Sequence, residues 1–422
     1  MRSIALDWCR RGGIDGGIID VGMKAVDVGG ELRRRIVERG PITFAEFMDV
    51  VLYWPNGGYY STRAALGAQG DFYTAPLTHP VFGALLAAQL AQMWRVMGSP
   101  QPFWVLEPGA GTGTLGRDIA RYAAGADPAF AAALRHVGVD VRAVAGGVRS
   151  DHLPFRGVRG VVLANELLDA MPVHRVTVAG GELRELFVGL DGGGGFEERV
   201  GEPSTPALAQ RLDALGVELA EGHRAEINLG LDAWCLDVAD ALDEGYVLVI
   251  DYGHEAAAYY DAARRAGTLR CYAGHTLNMD PYRDPGAQDI SVHVELTSLR
   301  KAAEAAGFSF VGSASQAGFL RGLGFEEYRA DVVARRGIAP RVRTANLRAL
   351  DTLVAPDGMG AFCVLAFGVG VPAAREGLDG FAARASRTPG GPRLSAPLAT
   401  AEHMPLGPAP EPAMPTWEEL TR

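Results

Sequence analysis

The stretch Glu107-Pro108-Gly109-Ala110-Gly111-Thr112-Gly113 decides the fold of this 422-residue chain. It follows a short apolar run, residues 103–106, and precedes a segment with helical periodicity. Glycines at alternate positions remove the Cβ atoms that would keep a ligand away from the backbone of the turn. A strand that enters a helix through such a turn is typical of nucleotide-binding α/β folds. The stretch therefore predicts the first strand and the ligand loop of a parallel sheet.

Two further apolar runs resemble the first one. Residues 161–164 and 246–250 are continuous and lack alternation, which is typical of buried parallel strands. They end at Asn165 and Asp251, as the first run ends at Glu107. Because the carboxyl ends of parallel strands form the functional edge of such a sheet, we expect polar side chains there to form a site.

Strand-like segments near the end of the folded region, residues 308–311 and 362–367, predict an antiparallel pair that closes one edge of the sheet. Near the beginning, residues 41–48 predict a helix. Its N-cap would be Thr43, and Glu46 would complete a capping box.

Composition divides the chain into four segments. Residues 1–22 are glycine-rich and aperiodic and predict a loose extension, and residues 23–100 predict a helical lid region. Residues 101–370 predict the sheet domain, with an inserted hairpin and helical subdomain at about 173–244. Nine of the 25 prolines lie in residues 371–422, which predicts a disordered tail.

Charge and cysteine usage exclude several classes of protein. The net charge is −10 and the basic runs are short, which argues against a nucleic-acid partner. No apolar run approaches the roughly 20 residues that span a bilayer, so we expect no membrane insertion. The four cysteines are far apart and the nine histidines lack ligand spacing, which predicts a cytoplasmic protein without a metal.

The glycine loop admits two cofactors. Gly111-x-Gly113-x-x-Gly116 fits a dinucleotide fingerprint, in which Asp140 would be the distal acid. Glu107 favours the other candidate, because a carboxylate at this turn attracts a cationic sulfonium and its amino group and repels a pyrophosphate. We therefore predict S-adenosyl-L-methionine, bound by Glu107, Gly109, Gly111 and Gly113.

Four more residues are candidates for cofactor binding. Asp140 follows a weaker strand and is placed to accept both ribose hydroxyls, a role that both cofactors allow. Asp151 lies where a third strand would end and is a candidate for the adenine amino group, although it is also an ordinary loop acid. Asp71 and Thr74 lie in a polar segment, residues 70–74, that we expect to form a lid.

The segment Asn165-Glu166-Leu167-Leu168-Asp169-Ala170-Met171-Pro172 follows the fourth strand. Two carboxylates and an amide beside the expected methyl donor make Asn165, Glu166 and Asp169 the candidate catalytic residues. An alternative interpretation of Asp169 is that it caps a short helix.

Read together, these segments resemble the MidA family of methyltransferases over residues 27–368. Its markers are Gly40-Pro41-Ile42-Thr43-Phe44, Gly57-Gly58-Tyr59-Tyr60, Gly70-Asp71-Phe72-Tyr73-Thr74-Ala75-Pro76, the loop after Glu107, the segment from Asn165 to Pro172, Ile250-Asp251-Tyr252-Gly253-His254, Gly267-Thr268-Leu269-Arg270-Cys271-Tyr272, Asp284-Pro285-Gly286-Ala287-Gln288-Asp289-Ile290 and His293-Val294. The resemblance implies a Rossmann-like class I methyltransferase sheet with helices on both faces. It also implies an N-terminal helical lid and an inserted subdomain.

The family's mitochondrial member dimethylates an arginine on a complex I subunit, so the resemblance implies a protein arginine as acceptor. Two features depart from the family. The loop reads Pro108-Gly109-Ala110-Gly111 where the family often has Gly-Pro-Gly-Arg-Gly, and the segment after Asp140 is short. Two other functions remain open: a small-molecule O-, N- or C-methyltransferase, and a non-catalytic assembly factor. A homodimer is also left open.

Overall fold

The computed structural model describes residues 27–62, 74–273, 276–371, 377–382 and 394–403. The predicted loose extension, residues 1–22, and the candidate lid residue Asp71 lie outside these ranges.

The described helices are α1 (Val28–Arg39), α2 (Phe44–Tyr53), α3 (Tyr59–Thr62), α4 (Ala75–Thr78), α5 (Val81–Val96), α6 (Thr114–Ala126), α7 (Pro128–Ala133), α8 (Ala207–Leu215), α9 (Gly230–Ala241), α10 (Ala256–Tyr259), α11 (Leu296–Ala305), α12 (Gln316–Gly322), α13 (Phe325–Ala334) and α14 (Pro340–Leu353). The described strands are β1 (Ile42–Thr43), β2 (Phe103–Pro108), β3 (Leu134–Asp140), β4 (Val148–Arg149), β5 (Val158–Asn165), β6 (His174–Ala179), β7 (Glu182–Leu190), β8 (Phe196–Gly201), β9 (Arg224–Ile227), β10 (Leu242–Asp251), β11 (Gly253–His254), β12 (Arg270–Ala273), β13 (Thr276–Asn278), β14 (Asp289–Ser291), β15 (Val294–Glu295), β16 (Ser309–Ser315) and β17 (Cys363–Val369).

A seven-stranded sheet forms the centre of the molecule, in the order β16-β17-β10-β5-β2-β3-β4. The strands from β10 to β4 are parallel, whereas β17 runs antiparallel to both β10 and β16. The three predicted parallel strands and the predicted antiparallel closing pair are therefore confirmed.

Both faces of this sheet are covered, which explains the continuous apolar runs. In β5, Val161 and Leu163 face the layer that contains α5 and α6, and Val162 and Ala164 face the layer that contains α9 and α11. All four side chains are at most 1% exposed. Successive strand residues point to opposite faces, so a strand covered on both sides has no polar position to alternate with.

A second sheet is built from the inserted segment. Its order is β1-β7-β6-β9, and the strand β8 also pairs with β7. The hairpin predicted within residues 173–244 is confirmed as β6 and β7. The strand β1 joins this sheet through Ile42 and Val188, so α1 and α2 pack on the insertion while α5 packs on the central sheet.

The predicted boundary of the insertion is wrong at its end. The helix α9 lies within residues 173–244, but its buried residues Leu231, Cys235 and Val238 pack with Leu299 of α11 against the central sheet. This helix therefore leads directly into β10 and belongs to the crossover between the parallel strands β5 and β10.

The start of α2 forms half of the predicted capping box. Thr43 Oγ1 accepts a hydrogen bond from the backbone amide of Glu46 at 3.1 Å. The Glu46 carboxylate binds Arg39 at 2.6 Å and Arg35 at 3.1 Å, on the preceding helix. The two guanidinium groups attract the carboxylate more strongly than a backbone amide does.

The prediction of a disordered tail is wrong for two stretches of residues 371–422. Leu378, Ala396 and His403 are each at most 4% exposed. We call residues 394–403 the C-terminal strap. Along its length it is hydrogen-bonded to α13, then to α14 and then to α6. Its anchors are single residues held mainly by hydrogen bonds, and such anchors leave no hydrophobic period in the sequence.

His403 provides a test of strap docking. Its Nε2 atom lies 2.9 Å from Asp118 Oδ2, and both side chains are buried. We expect His403→Ala to lower the free energy of unfolding by about 1–3 kcal/mol, because it leaves the buried Oδ2 atom of Asp118 without its partner, while Arg121 still contacts Oδ1. Denaturant unfolding measures this change. The control is His152→Ala, which breaks the exposed pair with Asp151 and should change stability by less than about 0.5 kcal/mol. Equal effects of the two substitutions would contradict the docking.

Candidate functional site

The neighbouring strands β2 and β5 mark the topological switch point of the central sheet. From β2 the chain continues to β3 on one side, and from β5 it continues to β10 on the other. Ligands of open α/β sheets bind in the crevice at the carboxyl ends of such a strand pair. Here those ends are Glu107 and Pro108 on β2, and Asn165 on β5 with Glu166 beyond it.

The glycine loop follows β2 directly. Gly109, Gly111 and Gly113 have φ angles of 72°, 53° and 69°, a region that side chains disfavour. A Cβ atom on Gly109 would lie 2.8 Å from Cδ1 of Leu167, so the glycine loop touches the segment after β5. The helix α6 begins at Thr114, immediately after the loop.

Asp140 lies beside this loop. Its Oδ2 atom accepts a hydrogen bond from the Gly111 amide at 2.9 Å, and its Oδ1 atom accepts one from the Arg142 amide at 3.0 Å. The segment between β3 and β4 contains no helix, as the short sequence after Asp140 suggested. The acid at the end of β3 is therefore bonded directly to the glycine loop.

Glu107 has a neighbour that the sequence did not suggest. Its Oε2 atom lies 2.7 Å from Nε2 of His136 on β3, and both side chains are mostly buried. A Cβ atom on Gly116 would lie 2.2 Å from the His136 ring, so the glycine makes room for the imidazole. A glycine in the first turn of a helix was the available signal, because it is unfavourable there unless packing requires it.

Glu166 occupies the first position after β5 and has a φ angle of 49°. Its amide donates to Ile250 O at 2.8 Å, which fixes this turn to β10. Its Oε1 atom accepts hydrogen bonds from the Ala75 amide at 2.9 Å and from Asn165 Nδ2 at 3.1 Å. Burial and, to a smaller extent, the nearby Asp169 raise the pKa of Glu166 to about 8. The carboxyl is thus mostly protonated at neutral pH.

The side chain of Asp169 is bound by Tyr252. The Tyr252 hydroxyl donates to Asp169 Oδ2, and burial raises the pKa of the Asp169 carboxyl above its ordinary value. Asp251 shapes the same loop: it accepts hydrogen bonds from the Leu168 amide at 2.9 Å and the Tyr252 amide at 2.9 Å. Burial, together with the charges of Asp169 and Glu166, raises the pKa of Asp251 well above its usual range.

An aromatic wall completes the site. Tyr53 and Tyr60 stack with ring centroids 5.7 Å apart. The Tyr53 hydroxyl donates to Ala170 O at 2.9 Å, and the Tyr60 hydroxyl donates to Asp289 Oδ1 at 2.7 Å. Burial and the carboxylates of Asp169 and Asp289 raise the pKa values of both phenols, which remain neutral. No role in the site was predicted for these tyrosines, because they are far from β5 along the chain.

Thr74 and Asp151, two of the predicted cofactor residues, lie in different surroundings. Thr74 is buried and immediately precedes Ala75, whose amide binds Glu166. The Asp151 side chain is 49% exposed and pairs with Nδ1 of His152 at 2.8 Å. Because β4 contains only two residues, Asp151 lies at the rim, apart from the buried carboxylates.

The crevice fits a nucleoside cofactor. Glycines at alternate positions of the loop expose its backbone to a ligand. Glu107 provides a carboxylate just before the loop, and Asp140 provides one beside Gly111. The Oδ1 atom of Asn165 is buried and has no hydrogen-bond partner among the described residues, so it is available to a ligand. Glu166 and Asp169 lie on the opposite side of the same crevice. We name these two sides after the roles predicted for their residues, the cofactor half and the acceptor half.

Comparisons with known proteins show which family the chain resembles. Residues 85–314 match the family of S-adenosyl-L-methionine-dependent methyltransferases. The chain is 29% identical to the human mitochondrial protein arginine methyltransferase NDUFAF7, covering 78% of this chain and 80% of that protein. It is also 29% identical to the Drosophila melanogaster homologue, covering 66% and 70%. A Burkholderia thailandensis structure with bound S-adenosyl-homocysteine is 32% identical with a TM-score of 0.73, covering 83% of this chain and 95% of that one.

The comparisons correct one prediction. We expected a cytoplasmic protein from the cysteine spacing, but the curated relatives are named as mitochondrial proteins. Reduced cysteines do not distinguish the two compartments, so the inference was wrong. No helix within the described ranges is long and apolar enough to cross a membrane.

The predicted cofactor, fold and resemblance are confirmed by these matches. The family match spans more than half of the chain, and the sheet order places the antiparallel strand β17 beside β10. The chain therefore belongs to the MidA-like family of class I S-adenosyl-L-methionine-dependent methyltransferases.

Proposed function

We propose that this methyltransferase modifies a nitrogen of a protein arginine. The observation that carries the proposal is the pair Glu166 and Asp169, which lie in one loop at the switch point beside stacked tyrosines. A planar guanidinium is recognised by carboxylates through bidentate hydrogen bonds and by aromatic faces. The named activity of the curated relatives supports the same acceptor.

The acceptor site must solve a proton problem. An arginine side chain is protonated, with a pKa above about 12, and offers no nitrogen lone pair in that state. We propose that Asp169, held by Tyr252, fixes the guanidinium and that Glu166 takes up its proton. The ionised fraction of a carboxyl whose pKa is about 8 is a stronger base than a carboxylate of ordinary pKa, and this fraction grows as the pH approaches 8. Asn165 orients Glu166 through their 3.1 Å hydrogen bond.

On the cofactor side, we propose that Gly109, Gly111 and Gly113 cradle S-adenosyl-L-methionine, which supplies an activated methyl group when bound. Asp140 would take the ribose hydroxyls and Glu107 the amino group, and Thr74 would border the cofactor beside Glu166. Asp151 would contact the adenine amino group from the rim of the crevice. Asp71, which lies outside the described residues, stays a predicted cofactor residue.

The acceptor class is tested with a lysate of cells that lack the gene. The lysate is incubated with the purified enzyme and isotopically labelled methyl donor. Mass spectrometry should find the label on arginine residues of a protein. If the label instead enters a metabolite and no arginine is modified, the enzyme is a small-molecule methyltransferase. If no label is transferred, it is a non-catalytic assembly factor. The homodimer stays a prediction, which light scattering checks.

Glu166→Gln tests the proposed base. Glutamine keeps an oxygen for the amides of Ala75 and Asn165 but cannot take a proton, so we expect kcat to fall about 100-fold or more. Calorimetry should show S-adenosyl-homocysteine affinity within a few fold of the unmodified enzyme. An equal loss of affinity and turnover would place Glu166 in the cofactor site instead.

The pH profile provides an independent test. Because a protonated Glu166 cannot accept a proton from the guanidinium, kcat/KM should rise about tenfold per pH unit below pH 8 and level off above it.

The free energy of unfolding should depend on pH in the opposite direction. A carboxyl whose pKa is higher in the folded state loses favourable free energy as pH rises from about 4.5 through 8.

Glu166→Gln removes that loss, so its melting temperature should match or exceed that of the unmodified enzyme at pH 9. A kcat/KM that does not change between pH 6.5 and 9 would contradict the role of Glu166 as a base.

A further inference from the structure

The first turn of α6 connects the glycine loop to the C-terminal strap. Arg117 lies on this turn, and its Nη1 atom donates to Thr112 O at 2.9 Å. Its Nη2 atom donates to Thr114 Oγ1 at 3.0 Å. A Cβ atom on Gly113 would lie 3.3 Å from Nη1, so the guanidinium lies directly over the end of the loop.

The strap holds the other edge of this guanidinium. Glu402 Oε2 accepts from Arg117 Nη2 at 2.9 Å and from Nε at 3.2 Å. The next residue along the strap, His403, binds Asp118, the residue that follows Arg117 on α6. Its Nδ1 atom lies 3.0 Å from the Thr400 hydroxyl, which fixes the ring. Two consecutive helix residues are thus bound by two consecutive strap residues.

The strap is anchored independently at its other end. The Ala396 amide donates to Asp331 Oδ2 at 2.9 Å, and the Ala399 amide donates to Asn346 Oδ1 at 2.8 Å. The same Asn346 oxygen lies 2.9 Å from Nε2 of His79, which directly follows α4. The amide of Ala75 in α4 is the group that binds Glu166. Both sides of the crevice therefore have a hydrogen-bonded connection to the strap.

We propose that the C-terminal strap positions the cofactor loop, and that Glu402 is a positioning residue for S-adenosyl-L-methionine binding. With Glu402 in place, Arg117 stays on the Thr112 carbonyl and the loop keeps its binding conformation. Without it, the guanidinium is free to turn to solvent, and the loop occupies that conformation for a smaller fraction of the time. The Arg117 guanidinium also lowers the pKa of Glu402, as expected for a persistent pair.

Coupling of this kind is reciprocal. If the docked strap favours cofactor binding, then a bound cofactor must favour the docked strap. A strap that only covers apolar surface would stabilise the protein without responding to the cofactor.

The test compares Glu402→Ala with Glu326→Ala. The control residue Glu326 pairs with Arg321 at 3.1 Å. The exposed side-chain fractions of this pair are 49% for Arg321 and 45% for Glu326, which match the 42% of Arg117 and the 49% of Glu402. Calorimetry with S-adenosyl-homocysteine should show an affinity loss of about two- to fivefold for Glu402→Ala, the effect of one exposed ion pair, and none for the control. Both variants should keep the melting temperature within about 2 °C.

Hydrogen exchange of the full chain supplies the second measurement. S-adenosyl-homocysteine should slow exchange at the amides of Ala396 and Ala399, and this protection should weaken in Glu402→Ala but persist in Glu326→Ala. Unchanged affinity in Glu402→Ala would overturn the proposal. Strap exchange that ignores the cofactor would overturn it as well, and would leave the strap as a purely structural element.

Discussion

The contact between two loops at the switch point is the constraint on which the rest of the site depends. Gly109 has a φ angle of 72°, and a Cβ atom there would lie 2.8 Å from Cδ1 of Leu167, so the absence of a side chain at this position lets the glycine loop and the loop after β5 lie in contact. This approach places the cofactor half and the acceptor half on neighbouring strands. Reacting groups held side by side in this way need little further alignment before an in-line transfer.

The acceptor half combines groups that favour function at the expense of stability. Glu166, Asp169 and Asp251 lie close together, and burial raises the pKa of each. Such a cluster is unfavourable when ionised. The Asp251 carboxylate is partly compensated by the backbone amides of Leu168, Asp169 and Tyr252. A cationic guanidinium would relieve this repulsion, so the charge of the cluster is complementary to that of the proposed acceptor.

The sequence predicted the sheet well and its surroundings less well. Strands buried on both faces produce continuous apolar runs, so β2, β5 and β10 could be predicted within a few residues. The two-residue strand β1 has no such signal, and its pairing with β7 depends on a contact between distant segments. The strap is held by isolated residues such as Ala396 and His403, which produce no pattern. Of the candidate site residues, those at strand ends lie together, while Asp151 follows a strand too short to carry it inward.

The structure of the enzyme with S-adenosyl-homocysteine and an arginine peptide tests the central claim most directly. The account predicts that the ribose contacts Asp140 and that the nucleoside follows the glycine loop. It also predicts that the peptide guanidinium lies within hydrogen-bonding distance of Glu166 and Asp169, beside the tyrosine wall. A nucleoside bound away from Gly109, Gly111 and Gly113, or a guanidinium that avoids both carboxylates, would contradict it.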